Sequence, residues 1–280
     1  MSLSNPVASA TRASDIAAAL AEAAVTEVMP RFRNLADGEV RAKSGPQDLV
    51  TAADEACERA VVAALARLCP GIEIVGEEAA SADASLLAAT GGAEWCFVLD
   101  PVDGTANFAA GLPLFCTMLA LLHRGDPVAA WIHDPVLHDT AIALAGQGAW
   151  VEDRHGRRHD LRASAPGPVG AMRAAISHRY LPEELAARVR PRLGLFAAGW
   201  ELRCAAHEWR LAASGQLDAL LYWKLMPWDH APGVLIHREA GGHAALLDGR
   251  PYHGGVHRGG LIAAPDRATW QAVHAALLEP

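Results

Sequence analysis

The chain has 280 residues, of which 51% are hydrophobic and 20% charged, so it is too apolar to be intrinsically disordered. It carries 24 lysine and arginine residues against 32 aspartate and glutamate residues, a formal net charge of -8. This balance argues against a general nucleic-acid-binding protein, which needs a basic surface. Small anionic substrates stay compatible with it, because a bound metal ion can reverse the charge of a pocket locally.

The cysteines and the apolar segments indicate the compartment. The chain has five scattered cysteines and no CxxC motif: Cys57, Cys69, Cys96, Cys116 and Cys204. An odd, scattered set does not suggest a disulfide framework, so we expect a reducing, cytoplasmic location. No apolar run approaches the roughly 18 residues of a membrane span. Asp15 and Glu22 interrupt the alanine-rich N-terminal stretch, so we read it as an amphipathic helix and expect no membrane partner.

The first half of the chain alternates helical and strand patterns. Ser14 is predicted to cap the first helix, and its expected buried face is Ile16, Leu20, Val25 and Val28. A second helix is predicted over 51–68, with Thr51 and Asp54 at capping-box spacing. Strands are predicted over 72–75, 97–99, 114–122, 128–132 and 140–144.

The second half begins after a compositional change. Charged residues at 152–160 give way to a segment rich in proline and glycine at 163–170, which predicts two domains, 1–152 and 153–280. Beyond it, strands are predicted over 174–176, 217–223 and 261–263, and helices over 182–189, 203–213, 229–240 and 265–278. Because both halves mix the two element types, we expect an α/β (α+β layered) fold.

An acidic motif follows the apolar run that ends at residue 99. Asp100, Pro101, Val102, Asp103, Gly104 and Thr105 form the sequence DPVDGT. Two carboxylates on one turn repel each other unless a cation lies between them. Hard oxygen ligands at this density favour Mg²⁺ over zinc, which prefers histidine and cysteine.

Two other acidic motifs and a glycine extend this predicted site. Glu77 and Glu78 follow a predicted strand and a glycine, and Asp229 lies where an apolar segment meets a helix. Each signal is weak alone, because paired glutamates are common on surfaces and an aspartate often caps a helix. A helix that starts after Gly104 would direct backbone N–H groups at a phosphate. Cations and a phosphate together predict metal-assisted hydrolysis of a phosphate ester.

Three motifs in this order resemble the inositol monophosphatase superfamily. They are GEE at 76–78, DPVDGTANF at 100–108 and WDHAPG at 228–233, preceded by the stretch from Lys43 to Asp54. The resemblance covers roughly residues 40 to 245. It implies an αβαβα sandwich, commonly a homodimer, with Mg²⁺-dependent, lithium-sensitive phosphomonoesterase activity on a small phosphorylated metabolite.

The resemblance also implies roles for individual residues. Glu77, Asp100 and the carbonyl of Val102 would hold one Mg²⁺. Asp100, Asp103 and Asp229 would hold a second ion, and Glu77 would share a weaker third ion through water. Glu77 and Thr105 would activate the attacking water, with the Thr105 hydroxyl against Asp54. The implied substrate-binding residues are Asp103, Gly104, Thr105, Arg203, Ala205, Tyr222 and Asp229. Glu78 would support the ligands, and Lys43 would lie near the metals on a mobile loop.

The specificity positions depart from those of the inositol enzymes. Tyr222 stands where those members have a substrate-binding glutamate, and a tyrosine lacks the two acceptor oxygens of a carboxylate. Arg203 replaces a small residue at the pocket border, which suggests a second anionic group on the substrate. Histidinol phosphate, fructose bisphosphate and a 3′-phosphoadenosine therefore remain alternative substrates, and a non-catalytic regulatory protein remains an alternative class.

Histidines and tryptophans outside these motifs have mainly structural interpretations. His230 and His237 are interpreted as structural or surface residues rather than zinc ligands. His178 and His207 are minority candidates for the pocket wall. The four tryptophans of the second half favour core packing over stacking on a ligand: Trp200, Trp209, Trp223 and Trp228.

Overall fold

The computed structural model describes residues 6–7, 9–36, 38–45 and 48–279, with the side chains of 43–45 and 48 left aside. The expectation for Lys43 therefore lies outside the described side chains. The α-helices are α1 (Ala10–Ala23), α2 (Ala52–Leu68), α3 (Glu77–Ala82), α4 (Ala89–Gly92), α5 (Thr105–Ala109), α6 (Glu183–Val189), α7 (Ala205–Ala213), α8 (Pro227–Glu239) and α9 (Arg267–Leu278). Among the residues described, no helix is both long and apolar enough to span a membrane.

The strands form three sheets. They are β1 (Val40–Gly45), β2 (Asp48–Thr51), β3 (Glu73–Gly76), β4 (Trp95–Asp103), β5 (Cys116–His123), β6 (Asp126–Asp134), β7 (Asp139–Leu144), β8 (Ala149–Asp153), β9 (Arg158–Asp160), β10 (Arg173–Ile176), β11 (Ala198–Trp200), β12 (Ala219–Lys224), β13 (His243–Leu246) and β14 (Arg258–Ala264). β1 and β2 pair with each other. β3 to β9 form a seven-stranded sheet in chain order, and the second main sheet has the order β11-β10-β12-β14-β13.

The side chains of β4 alternate between the two faces of the seven-stranded sheet and show which helices cover each face. Phe97 and Leu99 point to one face of the seven-stranded sheet, where they pack with the buried residues of α1 and α2. Val98 points to the opposite face and packs with Trp209 of α7 and Leu235 of α8. These two helices also cover one face of the five-stranded sheet, and α6 and α9 cover its other face. The expected αβαβα sandwich is confirmed.

Two expectations for the first helix are wrong. Ser9, not Ser14, caps α1, accepting a hydrogen bond from the backbone N–H of Arg12. Ser14 lies inside the helix, where its hydroxyl is 3.0 Å from a carboxylate oxygen of Glu152. Val25 is 52% exposed, because a π-helical turn over Ala24–Val28 shifts the buried face after α1. The capping box of Thr51 and Asp54 at the start of α2 is present as expected.

The two main sheets divide the chain a little after the predicted domain boundary. β9, over Arg158–Asp160, still belongs to the seven-stranded sheet, and the second sheet starts with β10 at Arg173. One hydrophobic cluster contains residues from both sheets. The division into 1–152 and 153–280 stays a prediction.

Candidate active site

A break in the β4–β5 pairing positions the paired aspartates. The register shifts between Asp100 and Asp103, which forms a bulge at the end of β4. The backbone N–H of Val102 donates to Oδ1 of Asp100 at 3.0 Å and holds that carboxylate in the turn. Gly104 then adopts a left-handed φ of 90°, and a Cβ there would lie 2.6 Å from the carbonyl of Leu114. Only glycine fits, and α5 begins directly after it.

Glu77 reaches the same edge because β3 runs parallel to β4 and α3 starts where β3 ends. The buried carboxylate of Glu58 holds this helix start by accepting hydrogen bonds from the N–H groups of Glu78 and Ala79. A side chain on Gly76 would overlap that carboxylate, since its Cβ would lie 2.3 Å away. Glu58 thus positions the GEE motif, a role that sequence analysis missed.

Asp229 is the third residue of α8 and lines the same cavity as Asp100 and Asp103. Its helix lies close to α7 because residue 233 is a glycine, and a Cβ there would meet the Trp209 ring at 2.0 Å. The charge of Asp229 contributes to the raised pKa of Asp100, so the two acids lie close together. Buried carboxylates this close together repel each other, so cations or protons must balance the charge here.

The electrostatics of these acids agree with that arrangement. Burial raises the pKa of Asp100 well above its usual range, and the nearby charges of Glu77 and Asp103 raise it further. Burial and Glu77 likewise raise the pKa of Asp229. Burial also raises the pKa of Asp103, partly offset by the N–H of Ala206, which donates to its Oδ2 at 2.6 Å. The site concentrates negative charge.

Thr105 and Asp54 form the expected pair. The Thr105 hydroxyl lies 3.1 Å from Oδ1 of Asp54 and 2.9 Å from the carbonyl of Val102, which are alternative acceptors for its single proton. The other Asp54 oxygen accepts from the backbone and hydroxyl of Thr51. The cap of α2 therefore also orients Asp54 toward Thr105.

One cavity of about 400 Å³ brings the predicted site residues together. Those that line it are Glu77, Asp100, Val102, Asp103, Gly104, Thr105, Arg203, Ala205, Tyr222 and Asp229. Asp54 lies behind Thr105 and is buried. The volume matches a small-molecule site. The individual roles of these residues stay predictions.

Arg203 reaches the cavity from a strained loop. Its φ is 54°, in the left-handed region that non-glycine residues rarely adopt. The side-chain amide of Asn107 donates to the carbonyls of Leu202 and Leu114 at 2.8 and 2.9 Å, which ties this loop to the DPVDGT turn. A second charged pair, Arg179 with Glu201 at 2.7 Å, also lines the cavity.

A buried carboxylate that sequence analysis missed lies beside Tyr222. The Tyr222 hydroxyl donates to Oε2 of Glu208 at 2.6 Å, and the N–H of Leu202 donates to its Oε1 at 3.1 Å. Burial raises the pKa of Glu208 to about 7, although both hydrogen bonds lower it. Glu208 lines the cavity one helical turn after Ala205. That i, i+3 spacing on the predicted helix could have identified it.

The histidines and tryptophans divide between the cavity and the core. His178 and His207, the minority candidates, are not among the residues that line the cavity, whereas His230, Trp200 and Trp223 are. The Trp209 indole donates to Nδ1 of His230 at 3.4 Å, so Nε2 carries the proton and donates to the carbonyl of Lys224. Burial lowers the pKa of His230 to about 4.

A cluster of sulfur and nitrogen ligands adjoins the cavity, which one of its members, Cys204, lines. Cys116, Cys204 and His207 place their ligating atoms within 4.8 Å of one another, an arrangement that no spacing in the sequence indicates. Burial alone would raise the pKa of the Cys116 thiol. Hydrogen bonds with Cys204 and His207 and the charges of His207 and Arg210 lower it to about 7.

Comparison with known proteins shows the family. The model of the inositol monophosphatase family matches residues 10–279. The chain belongs to the inositol monophosphatase family. Among its relatives is the inositol-1-monophosphatase SuhB of Mycobacterium tuberculosis, 35% identical over 236 residues, which cover 82% of this chain and 78% of that protein.

Two further similarities place the chain within the inositol monophosphatase family. The fructose-1,6-bisphosphatase/inositol-1-monophosphatase of Thermotoga maritima is 29% identical over 213 residues, covering 75% of this chain and 76% of the relative. The crystal structure of extragenic suppressor protein suhB from Bartonella henselae matches with a TM-score of 0.77 and 25% identity, covering 96% and 98% of the two chains. The fold extends over nearly the whole length of this family member.

Proposed function

We propose that this chain is a Mg²⁺-dependent phosphomonoesterase that acts on a small phosphorylated polyol, sugar or amino alcohol. The observation that carries the proposal is the meeting of Glu77, Asp100, Asp103 and Asp229 in one cavity. Those side chains come from one strand and two helices that are distant in sequence, so their approach is not an accident of sequence proximity. Membership of the inositol monophosphatase family supports the same activity.

The donor set suits Mg²⁺. Carboxylates and one backbone carbonyl are hard oxygen ligands, and the crowded, buried acids need positive charge to ionise together. Glu77, Asp100 and the Val102 carbonyl would hold one ion, and Asp100, Asp103 and Asp229 a second. Glu77 would share a third, weaker ion. When bound, Mg²⁺ supplies Lewis-acid activation of a water molecule and neutralises the charge of the phosphate.

The remaining steps fall to side chains and backbone of this chain. Glu77 accepts the proton of the attacking water. Thr105 orients that water and donates its hydroxyl hydrogen bond to Oδ1 of Asp54. Gly104 and Thr105 present backbone N–H groups to the phosphate, and Asp103 lies beside the leaving oxygen. Asp54 keeps its position through Thr51, so the proton acceptor stays aligned.

The part of the cavity wall that contains Glu208, Tyr222 and Arg203 would bind the leaving alcohol. Tyr222 has no carboxylate, but Glu208 of α7 supplies one at the same part of the cavity wall. Arg203 offers a charge for a second anionic group on the substrate. A carboxylate next to an arginine suits a substrate with hydroxyl or amino donors and a further anion. Histidinol phosphate, fructose bisphosphate and a 3′-phosphoadenosine stay candidates, the second matching a relative's name.

A non-catalytic regulatory role is the alternative, since a structural relative is named an extragenic suppressor protein. The retained acids favour catalysis, because a protein without it gains nothing from crowded buried charges. We also propose that the enzyme works in the cytoplasm as a homodimer, without nucleic-acid or membrane partners.

A substrate panel tests the proposal. Released phosphate is measured with and without Mg²⁺, and with lithium added, for phosphorylated polyols, sugars, amino alcohols and nucleotides. We expect Mg²⁺-dependent turnover of at least one member, inhibited by lithium and lost in Asp100→Asn. Folded protein that binds Mg²⁺ but turns over no phosphate ester at millimolar concentration would instead support the regulatory alternative.

A further inference from the structure

Three potential soft-metal ligands meet beside the acidic site. Cys116 is the first residue of β5, Cys204 precedes α7, and His207 lies in the first turn of that helix. Cys116 Sγ is 3.7 Å from Nε2 of His207, and all three ligating atoms lie within 4.8 Å of one another. Both cysteines are buried and the His207 side chain is only 13% exposed. Such an arrangement is preorganised by the packing of α7 against β5.

The chemistry of this group differs from that of the acidic cluster. Thiolate and imidazole ligands select zinc and similar thiophilic ions, whereas Mg²⁺ prefers oxygen. A tetrahedral zinc ion with bonds of about 2.0–2.3 Å places its ligand atoms about 3.3–3.8 Å apart. The present separations need to contract by roughly 1 Å at most, which side-chain rotation can supply.

We propose that Cys116, Cys204 and His207 form a second metal site, which binds Zn²⁺ next to the Mg²⁺ site. Cys204 lines the substrate cavity, so an ion can reach the cluster from there. Oδ2 of Asp103 lies 3.1 Å from Cys204 Sγ, close enough to serve as the fourth ligand after a small movement. An ion held in this way would withdraw Asp103 from the acidic site.

The environment of the cluster contains charges of both signs. Oδ2 of Asp134 lies 3.9 Å from Nε2 of His207, and Asp134 is itself buried. The carboxylates of Asp103 and Asp134 attract a divalent cation at the cluster, whereas the charge of Arg210, which acts on Cys116 and His207, opposes it. Asp134 would act from outside the ligand set and orient the imidazole.

Cobalt binding tests this site independently of any hydrolysis. Co²⁺ is titrated into the full chain with excess Mg²⁺ and a phosphine reductant, and absorption is recorded. We expect thiolate-to-cobalt charge-transfer bands and tetrahedral d–d bands that saturate at one ion per chain and vanish when Zn²⁺ is added. Cys116→Ser and Cys204→Ser should each lose about half of the charge-transfer intensity, and the double variant all of it.

Two controls make the outcome decisive. Cys69→Ser changes a buried cysteine outside the cluster and should leave the spectrum unchanged. Asp100→Asn weakens the acidic site alone and should also leave it unchanged, which separates this proposal from the proposed hydrolysis. Saturating Co²⁺ without a charge-transfer band, or a band that persists in folded Cys204→Ser at full intensity, would overturn the zinc site. Circular dichroism establishes that each variant is folded.

Discussion

Buried polar groups repel one another in the acidic cluster, whereas they are hydrogen-bonded to one another in the α7–α8 packing beside it. In the acidic cluster, burial and neighbouring charges of the same sign raise the pKa of Asp100 and of Asp229. Between α7 and α8, the Trp209 indole instead donates to His230, whose other ring nitrogen donates to the backbone carbonyl of Lys224 in β12. The polar groups between α7 and α8 find partners within the protein, so this region is a structural scaffold. The acidic cluster has an excess of negative charge, which indicates that a bound ligand must supply the balancing positive charge.

The largest effect that this comparison predicts is for Asp100→Asn. Turnover should fall about a thousandfold or more, because loss of a metal ligand removes several kcal/mol of transition-state stabilisation. The metal-free protein should melt at a higher temperature, since one of the mutually repelling charges is gone. Phosphate release and a thermal melt in chelator measure the two quantities.

Asp218→Asn is the matched control for that variant. Asp218 lies outside the cavity and accepts from the backbone N–H and the guanidinium of Arg173 at 2.8 and 3.1 Å. Its loss should lower the melting temperature and leave turnover unchanged. A metal-free Asp100→Asn protein that melts well below the wild type would show that Asp100 is a structural acid like Asp218, and the comparison would fail.

Gly233→Ala should break the scaffold while leaving every acid in place. The added Cβ would meet the Trp209 ring at 2.0 Å, so α7 and α8 must separate. Overpacking of this kind costs about 1–3 kcal/mol of unfolding free energy, measured by urea denaturation. Gly194→Ala is the control, because nothing lies within 4 Å of its Cβ. Equal stabilities for the two variants would contradict close packing at Gly233.

His237→Gln should weaken the pH dependence of the stability of the α7–α8 region. Burial lowers the pKa of His237 to about 4, below the ordinary value of 6.5. Between pH 4 and pH 6.5, His237 is protonated in the unfolded chain and neutral in the folded protein. The stability that neutral His237 provides is therefore complete above pH 6.5 and is lost as the pH falls toward 4. The loss amounts to about 3 kcal/mol at pH 4.

The glutamine amide can still donate to the carbonyl of Ala264, which lies 3.0 Å from Nε2 of His237. Urea denaturation between pH 7 and pH 4 should therefore show a shallower decline in His237→Gln than in the wild type. His159→Gln, at an exposed position, should decline as the wild type does. Identical slopes for all three proteins would exclude His237 as a source of acid sensitivity.

Glu208→Gln changes a residue of α7 that also lines the cavity, and it should have the smallest effect. Loss of the carboxylate should raise KM for a polyol phosphate about tenfold, equivalent to one charged hydrogen bond, with little change in kcat. Inhibition by inorganic phosphate should not change, because inorganic phosphate lacks the leaving alcohol that Glu208 would bind. Tyr222→Phe keeps the carboxylate and should raise KM less. A kcat loss without a KM change would place Glu208 outside substrate recognition.

Much of the acidic motif was predictable because its geometry is local. The capping box of Thr51 and Asp54 and the helix start after Gly104 depend on hydrogen bonds and φ angles within a few residues. The alternation of β4 likewise follows from the two-residue repeat of a strand. The order of the three acidic motifs was enough to predict the layered fold and the family.

Only tertiary structure decided which distant side chains share a surface. Three features depend on how α2, α7 and the two main sheets pack. They are the hydrogen bond from the start of α3 to Glu58 of α2, the hydrogen bond between Tyr222 and Glu208, and the cluster of Cys116, Cys204 and His207. Cys116 and His207 are 91 residues apart, and no spacing rule connects them. Periodicity reports which face a side chain occupies, whereas the neighbour it meets is set by the packing of another element against that face.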